Sequence, residues 1–528
     1  MKNRTYISFL NEITEGEIFE GLLGYGLFSD ALPPVFTSES FMLYCKKKQD
    51  SFSDNGCDYI KYETIRNISI PRIISIPNPF AYSNLCNHIQ KYWTKMKNKF
   101  QENTYGQKYK ISQIHIRKMK NSKALFKINY KNFFDKDNEN DNKAYSKEDP
   151  SIDLMIGMKY KVEADISNCF PSIYSHSIPW ALVGKEEAKK NAKKNTWYNI
   201  FDNKVIKLKR NETNGLLIGP HSSNLISELI LTAIDKELYG RGYRFVRFID
   251  DYNCFVKTYD EAEKFLLDLS QALKEYELSL NTKKTKISPL PISDNDDWVN
   301  TLKEYCFSLY KDKNDKKEYI TLSSLRTFLN IVVNLAKESK NASILNYAIK
   351  IIAKQKFKKY TIDYYIKRMH HLVLLYPYLI RQLDKYIFDK FHINTEIIKK
   401  IGDDLFMSGL NKHSYEICSY VLYWSIKYNY YMDKSYSKDA IASKDCIFLT
   451  HAWYKSKLEK NKDNIKQLED YAKELKDNNL MDKYWLFIYE TLPKENFDTD
   501  WKSIKNKGIS FLKNIEEIRN KEILNKEE

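Results

Sequence analysis

The chain has 528 residues, 43% of them hydrophobic and 14% aromatic. That content excludes a disordered protein, and the length exceeds what one hydrophobic core serves, so two or three domains are expected. A formal charge of +16 and a pI near 9.0 suit polyanionic partners, of which nucleic acid is the commonest, although scattered solvated lysine such as Lys46-Lys47-Lys48 accounts for a basic balance equally well.

Residues 1–150 read as mixed, with turn-rich stretches at Leu32-Pro33-Pro34 and Ile76-Pro77-Asn78-Pro79 and a polar loop from Asp135 to Asp149. From 151 to 310 strand-like and helix-like pieces alternate, the pattern of an α+β domain. Tyr160 to Ile166 reads as a short strand delivering Asp165 near its end. Thr213 to Ser223 is a Gly-containing loop running into an amphipathic stretch, Leu225 to Leu238, and Gly219 lets its backbone approach a nucleotide or template closely. Phe245 to Val256 sets Asp250 and Asp251 between two β-prone runs, a tight hairpin with acids at its tip. A helix from about Asp260 to Tyr276 follows, then Leu278 to Ile287, whose lysines suit departing pyrophosphate.

After about residue 320 the strands stop and helical spacing takes over, as in Leu325, Phe328, Leu329, Val332 and Leu335. Residues 311–528 therefore read as an all-α region, either a HEAT-like solenoid or an irregular bundle. The longest apolar run, Leu372 to Ile380, is short and broken by Pro377. The eight cysteines form no C-x-x-C pair and no zinc spacing. With no signal peptide in view, a cytoplasmic protein with reduced thiols and no membrane association is expected.

The acids carry the chemistry. Adjacent carboxylates at a hairpin tip repel, and a divalent cation resolves the repulsion. A lone Asp-Asp is usually only a turn; a third acid on a neighbouring strand and a Gly loop between them change that reading. Asp165, Asp250 and Asp251 then form an oxygen-rich site suited to Mg²⁺, with Mn²⁺ as a substitute, and Ile166 beside Asp165 completes the expected metal set. Two such ions about 3.5–4 Å apart activate an attacking hydroxyl and stabilise leaving pyrophosphate, which is nucleotidyl transfer.

In order and spacing these pieces resemble the palm motifs of reverse transcriptases: D-x-x-x-x-F at Asp165 to Phe170, the Gly loop, F-x-D-D at Phe248 to Asp251 and L-N-x-x-K-T at Leu280 to Thr285. The resemblance implies metal binding by Asp165 and Asp250 with support from Asp251, Lys284 near the pyrophosphate, and Phe170 as the steric gate that favours deoxynucleotides. Upstream, Pro71 to Pro79 resembles the fingers entry motif, in which Arg72 meets incoming phosphate or template, and Arg117 to Lys127 resembles the second fingers strand pair, with Arg117 and Lys123 as its basic candidates.

A closer likeness is to the abortive-infection reverse transcriptases of bacterial antiphage defence. It is carried by Leu32-Pro33-Pro34 with Phe36-Thr37-Ser38, by Asp165-Ile166-Ser167 continuing through Pro171 to Leu182, and by Thr213-Asn214-Gly215 with Ile218-Gly219-Pro220. That likeness implies an N-terminal and fingers region (1–150), a palm (151–310) and a helical-repeat C-terminal domain (311–528). It further implies a homo-oligomer and untemplated DNA synthesis from dNTPs, primed by a protein tyrosine, for which Tyr44 is the candidate. Ile218 stands where many reverse transcriptases carry Gln and cannot hydrogen-bond a nucleotide. Copying of an associated non-coding RNA, and a catalytically idle nucleic-acid-binding scaffold, are the alternatives.

Overall fold

The computed structural model describes residues 5–48, 52–66, 71–113, 116, 150–293, 296–314, 316–432 and 435–519. The Arg117–Lys127 segment, with Arg117 and Lys123, and the Asp135–Asp149 loop lie outside them.

Helix α1 (Glu39–Lys47) precedes an antiparallel hairpin of β1 (Tyr59–Thr64) and β2 (Arg72–Pro77), registered from Tyr59 opposite Pro77 to Thr64 opposite Arg72. Asn78 then turns the chain into α2 (Pro79–Lys91): its side chain accepts the Phe80 and Ala81 N–H groups, and Pro79 gives up no helical donor in the first turn. Helix α3 (Trp93–Thr104) follows.

The central sheet has the order β4-β5-β3-β6, from β3 (Tyr160–Asp165), β4 (Arg244–Phe248), β5 (Asp251–Val256) and β6 (Lys286–Pro289), every pair antiparallel. Alternation along the strands sorts the side chains. Val162, Ala164, Tyr252, Cys254 and Val256 join the main core, against which α4 (His221–Gly240) and α5 (Tyr259–Lys274) pack. The opposite face carries Asp165 and Asp251, and near its far end Val246 and Phe255 pack beneath Leu154. Helix α4 is buried around nearly its whole circumference, which its long apolar run allows.

A small hairpin of β7 (Leu309–Lys311) and β8 (Glu318–Ile320) ends the strands, and helices follow, as the sequence led us to expect. The longer ones are α6 (Leu322–Ser339), α7 (Ala342–Ala353), α8 (Lys359–Leu375), α9 (Thr395–Asn411), α10 (Tyr415–Lys427), α11 (Tyr436–Ser443), α12 (Cys446–Glu459), α13 (Lys462–Asp477), α14 (Met481–Thr491) and α15 (Thr499–Asn506). From α9 onward they stack in two layers. Helices α10, α12 and α14 touch in sequence and form the inner layer, while α9, α11 and α13 cover it. The composition follows the layer: every residue of α10 after Tyr415 is buried, whereas α13 buries only Leu468, Ala472 and Leu475.

The inner layer meets β1 directly. Asp482 of α14 accepts hydrogen bonds from the Asp58 backbone and the Asn78 side chain, fixing the β1–β2 hairpin to the helical array. Past α15 the chain returns to the N-terminal region, where Phe36 bridges Leu512, Thr37 donates to Phe511, and Phe28, Phe41 and Trp485 surround the Phe511 ring. No helix among the described residues is long and apolar enough to cross a membrane.

Candidate active site

Asp165 ends β3 and Asp251 begins β5, and the register sets them directly opposite one another. Like charges in that relation destabilise a sheet unless something neutralises them. Asp250 occupies the two-residue turn between β4 and β5, and carboxylate oxygens of all three acids lie within 4.8 Å of one another. Asp165 is buried, Asp250 half-buried and Asp251 exposed, so the cluster has a solvent-open side.

Partial burial pushes the Asp250 carboxyl above its ordinary range and Asp165 adds to the effect, while Lys284 and Arg72 pull the other way. Asp251 is pushed up as well, by desolvation first and then by Asp250 and Asp165. Three hard oxygen donors at this spacing, with charge left over, fit a divalent ion of the Mg²⁺ or Mn²⁺ type. Ile166 differs in kind from them. Its side chain is apolar and buried and its N–H donates to the Asp250 carbonyl, so only its own carbonyl oxygen is chemically able to serve as a ligand.

The L-N-x-x-K-T segment runs beside the end of β3. Leu280 bridges Ile166, the Asn281 N–H donates to the Asp165 carbonyl, and the Asn281 amide donates to Asp165 Oδ2 at 2.9 Å. Lys284 Nζ lies 3.0 Å from the same oxygen with its side chain 65% exposed, so this lysine supplies positive charge at the metal cluster itself. Arg72 opens β2 on the solvent side; its surroundings desolvate it enough to pull its pKa down, Arg66 adds to that, and Asp250 opposes it.

Phe170 sits on a short helix, Cys169–Ser172, entered through Asn168 in the left-handed conformation. The ring is half-buried, packed against the core without being enclosed. The Gly loop docks on this helix: Leu216 N–H donates to Phe170, Gly215 N–H to Ile173, and Ser175 N–H to Thr213. A side chain at Gly215 would strike the Pro171 carbonyl at 2.6 Å. Gly219, at φ +135°, meets β2: Ser75 N–H donates to the Ile218 carbonyl, and a Cβ on Gly219 would lie 2.8 Å from Ser75 O. The close approach observed at Gly219 is thus to the β1–β2 hairpin, and the loop couples that hairpin to the sheet carrying the acids.

Tyr44 lies on α1, with its hydroxyl 2.8 Å from Ser503 Oγ of α15. The structure brings together Asp165, Asp250, Asp251 and Lys284, with Arg72 in electrostatic reach, and places Phe170 and Gly219 along the adjoining loop.

Other contributors went unread in the sequence. The guanidinium of Arg247, wholly buried on β4, makes a fork to Asp235 (2.9 and 2.6 Å), reaches Glu228 Oε2 at 3.0 Å and donates to the carbonyl of Ile249 at 2.8 Å. Tyr6 completes the group through Glu228. Ile249 takes φ +58°, costly for a β-branched residue, so a buried arginine clamps a strained turn whose next residue is Asp250. The available signal was an arginine inside an otherwise apolar strand and two acids, Glu228 and Asp235, seven apart on an apolar helix.

Residues 67–293 match the family model described as reverse transcriptase (RNA-dependent DNA polymerase). No curated protein matches the chain. Among solved structures, telomerase from Candida albicans in complex with a TWJ fragment of telomeric RNA aligns with 76% of this chain and 67% of that chain, at 12% identity and a TM-score of 0.28. Apo telomerase from Candida tropicalis aligns with 79% and 76%, at 9% identity and a TM-score of 0.31. The family match spans the three carboxylates, the Gly loop and the hairpin that bears Asp250 and Asp251, and residues 67–293 are a reverse-transcriptase domain.

Proposed function

We propose that the chain is a DNA polymerase of antiphage defence that joins deoxynucleotides with two Mg²⁺ ions, working in the cytoplasm as a homo-oligomer and priming on one of its own tyrosines. The observation that carries the polymerase reading is the convergence of Asp165, Asp250 and Asp251 on the open face of the sheet, inside a reverse-transcriptase domain. Those three side chains would hold the ions, which when bound supply activation of the attacking hydroxyl and charge neutralisation at the pyrophosphate.

The chain's own groups do the rest. Arg72 and Lys284 meet the triphosphate from two sides of the acids, and Lys284 exchanges Asp165 for phosphate oxygens as the nucleotide arrives. The Phe170 ring takes the space of a ribose 2′-hydroxyl. Asn281 keeps its hydrogen bond to Asp165 and holds that carboxylate in place. The defence role and protein priming rest on the motif likeness at Leu32 to Ser38 and Pro171 to Leu182.

A second reading, copying of an associated RNA, draws on the RNA-dependent character of the matched family. Purification separates the two. DNA bound covalently to a tyrosine of the purified protein, found by digestion and mass spectrometry, supports protein priming, and its loss in Tyr44→Phe assigns the site. A defined RNA that co-purifies and whose sequence reappears as complementary DNA supports copying and overturns untemplated synthesis.

A further inference from the structure

Between the β1–β2 hairpin and the helical array lies a cleft of about 840 Å³ that none of the three aspartates lines. One wall is β1 and its exit, with Lys61 and Arg66. The other is made of three inter-helix turns of the array: 375–378 after α8, 412–415 between α9 and α10, and 443–445 between α11 and α12. Each turn presents a cation or an aromatic ring, namely Tyr376 and Tyr378, then Lys412 and Tyr415, then Lys444. Helical arrays commonly bind ligands on the face where their turns line up.

The floor is fixed. Glu416, fully buried, accepts the Ile65 N–H and pairs with Arg381 at 2.7 Å, which ties the end of β1 to α10 and uses up both charges. What remains above it is basic. Lys61, Arg66, Lys412 and Lys444 are exposed, and none of them makes an ion pair among the described residues. Against them stand Glu63, which is exposed, and Asp445, whose carboxylate caps α12 by accepting the Phe448 N–H. The Tyr376, Tyr378 and Tyr415 rings are half-buried, and the first two have centroids 6.1 Å apart. At its hairpin end the cleft is lined by Pro71, the residue before Arg72 of β2.

We propose that this cleft binds a single-stranded nucleic acid, with the lysines and Arg66 on its phosphates and the tyrosines stacked on its bases. Cations that track a backbone, interleaved with aromatic platforms, are the chemistry of sequence-tolerant single-strand binding. Duplex DNA keeps its bases stacked inside the helix, out of reach of the tyrosines. DNA and RNA strands share the recognised features, so the sugar is a matter for measurement.

The test uses the full chain with Asp250→Asn, so that no strand is extended and binding is read separately from catalysis. Fluorescence anisotropy measures labelled oligo-dT and oligo-U of about 20 nucleotides, and a duplex of equal length. Tyr376→Ala with Tyr415→Ala is expected to weaken single-strand binding about tenfold or more. Lys412→Glu with Lys444→Glu is expected to weaken it and to flatten the dependence of log K on log salt by about 1.4, at ~0.7 for each lost cation. Tighter binding of the deoxy strand assigns the cleft to DNA, and tighter binding of the ribo strand assigns it to RNA; either supports the proposal. Should the tyrosine variant melt at a lower temperature than the parent, the exposed lysine pair decides alone. Unchanged affinity in the lysine variant overturns the proposal. So does duplex binding as tight as single-strand binding, or an equal loss in the control Lys466→Glu with Lys473→Glu on the outer helix α13.

Discussion

Asp165 and Asp251 face each other across two strands while Arg247 lies buried beneath the turn that carries Asp250, so two charge problems are solved side by side by different means. The carboxylate cluster, open to solvent on one side, leaves its charge available to a cation. The buried one is neutralised in place by Asp235 and Glu228, and its cost is repaid in position, because the same guanidinium holds the Ile249 carbonyl. Arg247→Lys keeps the charge and loses the fork. We expect kcat for nucleotide addition to fall about 10- to 100-fold with a smaller change in KM, since displacement of a catalytic group by an ångström costs that much. Steady-state kinetics alongside a melting curve check this; an unchanged kcat in a destabilised protein would assign Arg247 a purely structural role. At Phe170 the expectation concerns specificity. Phe170→Ala should shift the ratio of ribo- to deoxynucleotide incorporation towards ribonucleotides by about tenfold or more. An unchanged ratio would make the ring ordinary packing. The three aspartates were legible because adjacent acids between β-prone runs have few structural uses. Arg247 was not, because its partners lie 12 and 19 residues away on another element and only packing brings them together.

At the scale of elements, the Gly loop shows what a sequence conveys and what it withholds. Gly219 announces a close approach, yet its partner, Ser75 of β2, is invisible without the fold. The C-terminal helices were legible as helices from their spacing. Their two layers were not, because the inner helices α10 and α12 are buried all round and lose the one-sided pattern that locates a helix on a surface. Burial in that layer has a consequence for pH. His451 on α12 donates from Nδ1 to the Ile447 carbonyl, packs edge-on against Phe36, and is pulled down to a pKa of about 4 because burial disfavours its charged form more than the Ile447 carbonyl favours it. The unfolded chain takes up that proton near pH 6.5 while the folded chain resists it until about pH 4. The stability this histidine contributes is therefore complete above pH 6.5 and is lost as the pH falls towards 4. Between pH 7 and 5 the loss is about 2 kcal/mol. Urea unfolding of wild type and His451→Phe at the two pH values measures it: the variant should lose less stability on acidification, and equal losses would show that other groups carry the acid sensitivity.

Across the whole molecule, the polymerase domain is held between the two ends of the described chain. The segment 511–513 pairs with Val35 to Thr37, and Asp482 anchors the β1–β2 hairpin that brings Arg72 to the acids. Nothing in composition or periodicity signals this closure, because the contacts join residues more than 400 positions apart. Catalysis depends on the three acids at the centre of the sheet. Incorporation of labelled dNTPs by the purified full chain tests this dependence most directly, with Asp165→Asn and Asp250→Asn measured beside wild type, each with its melting temperature and each with and without added Mg²⁺ after chelation. Each substitution removes ligand charge while barely changing volume. We predict Mg²⁺-dependent incorporation by wild type and a loss of about 10³-fold or more in both variants, equivalent to about 4 kcal/mol, with folding intact. Incorporation at the wild-type rate in either variant would contradict it.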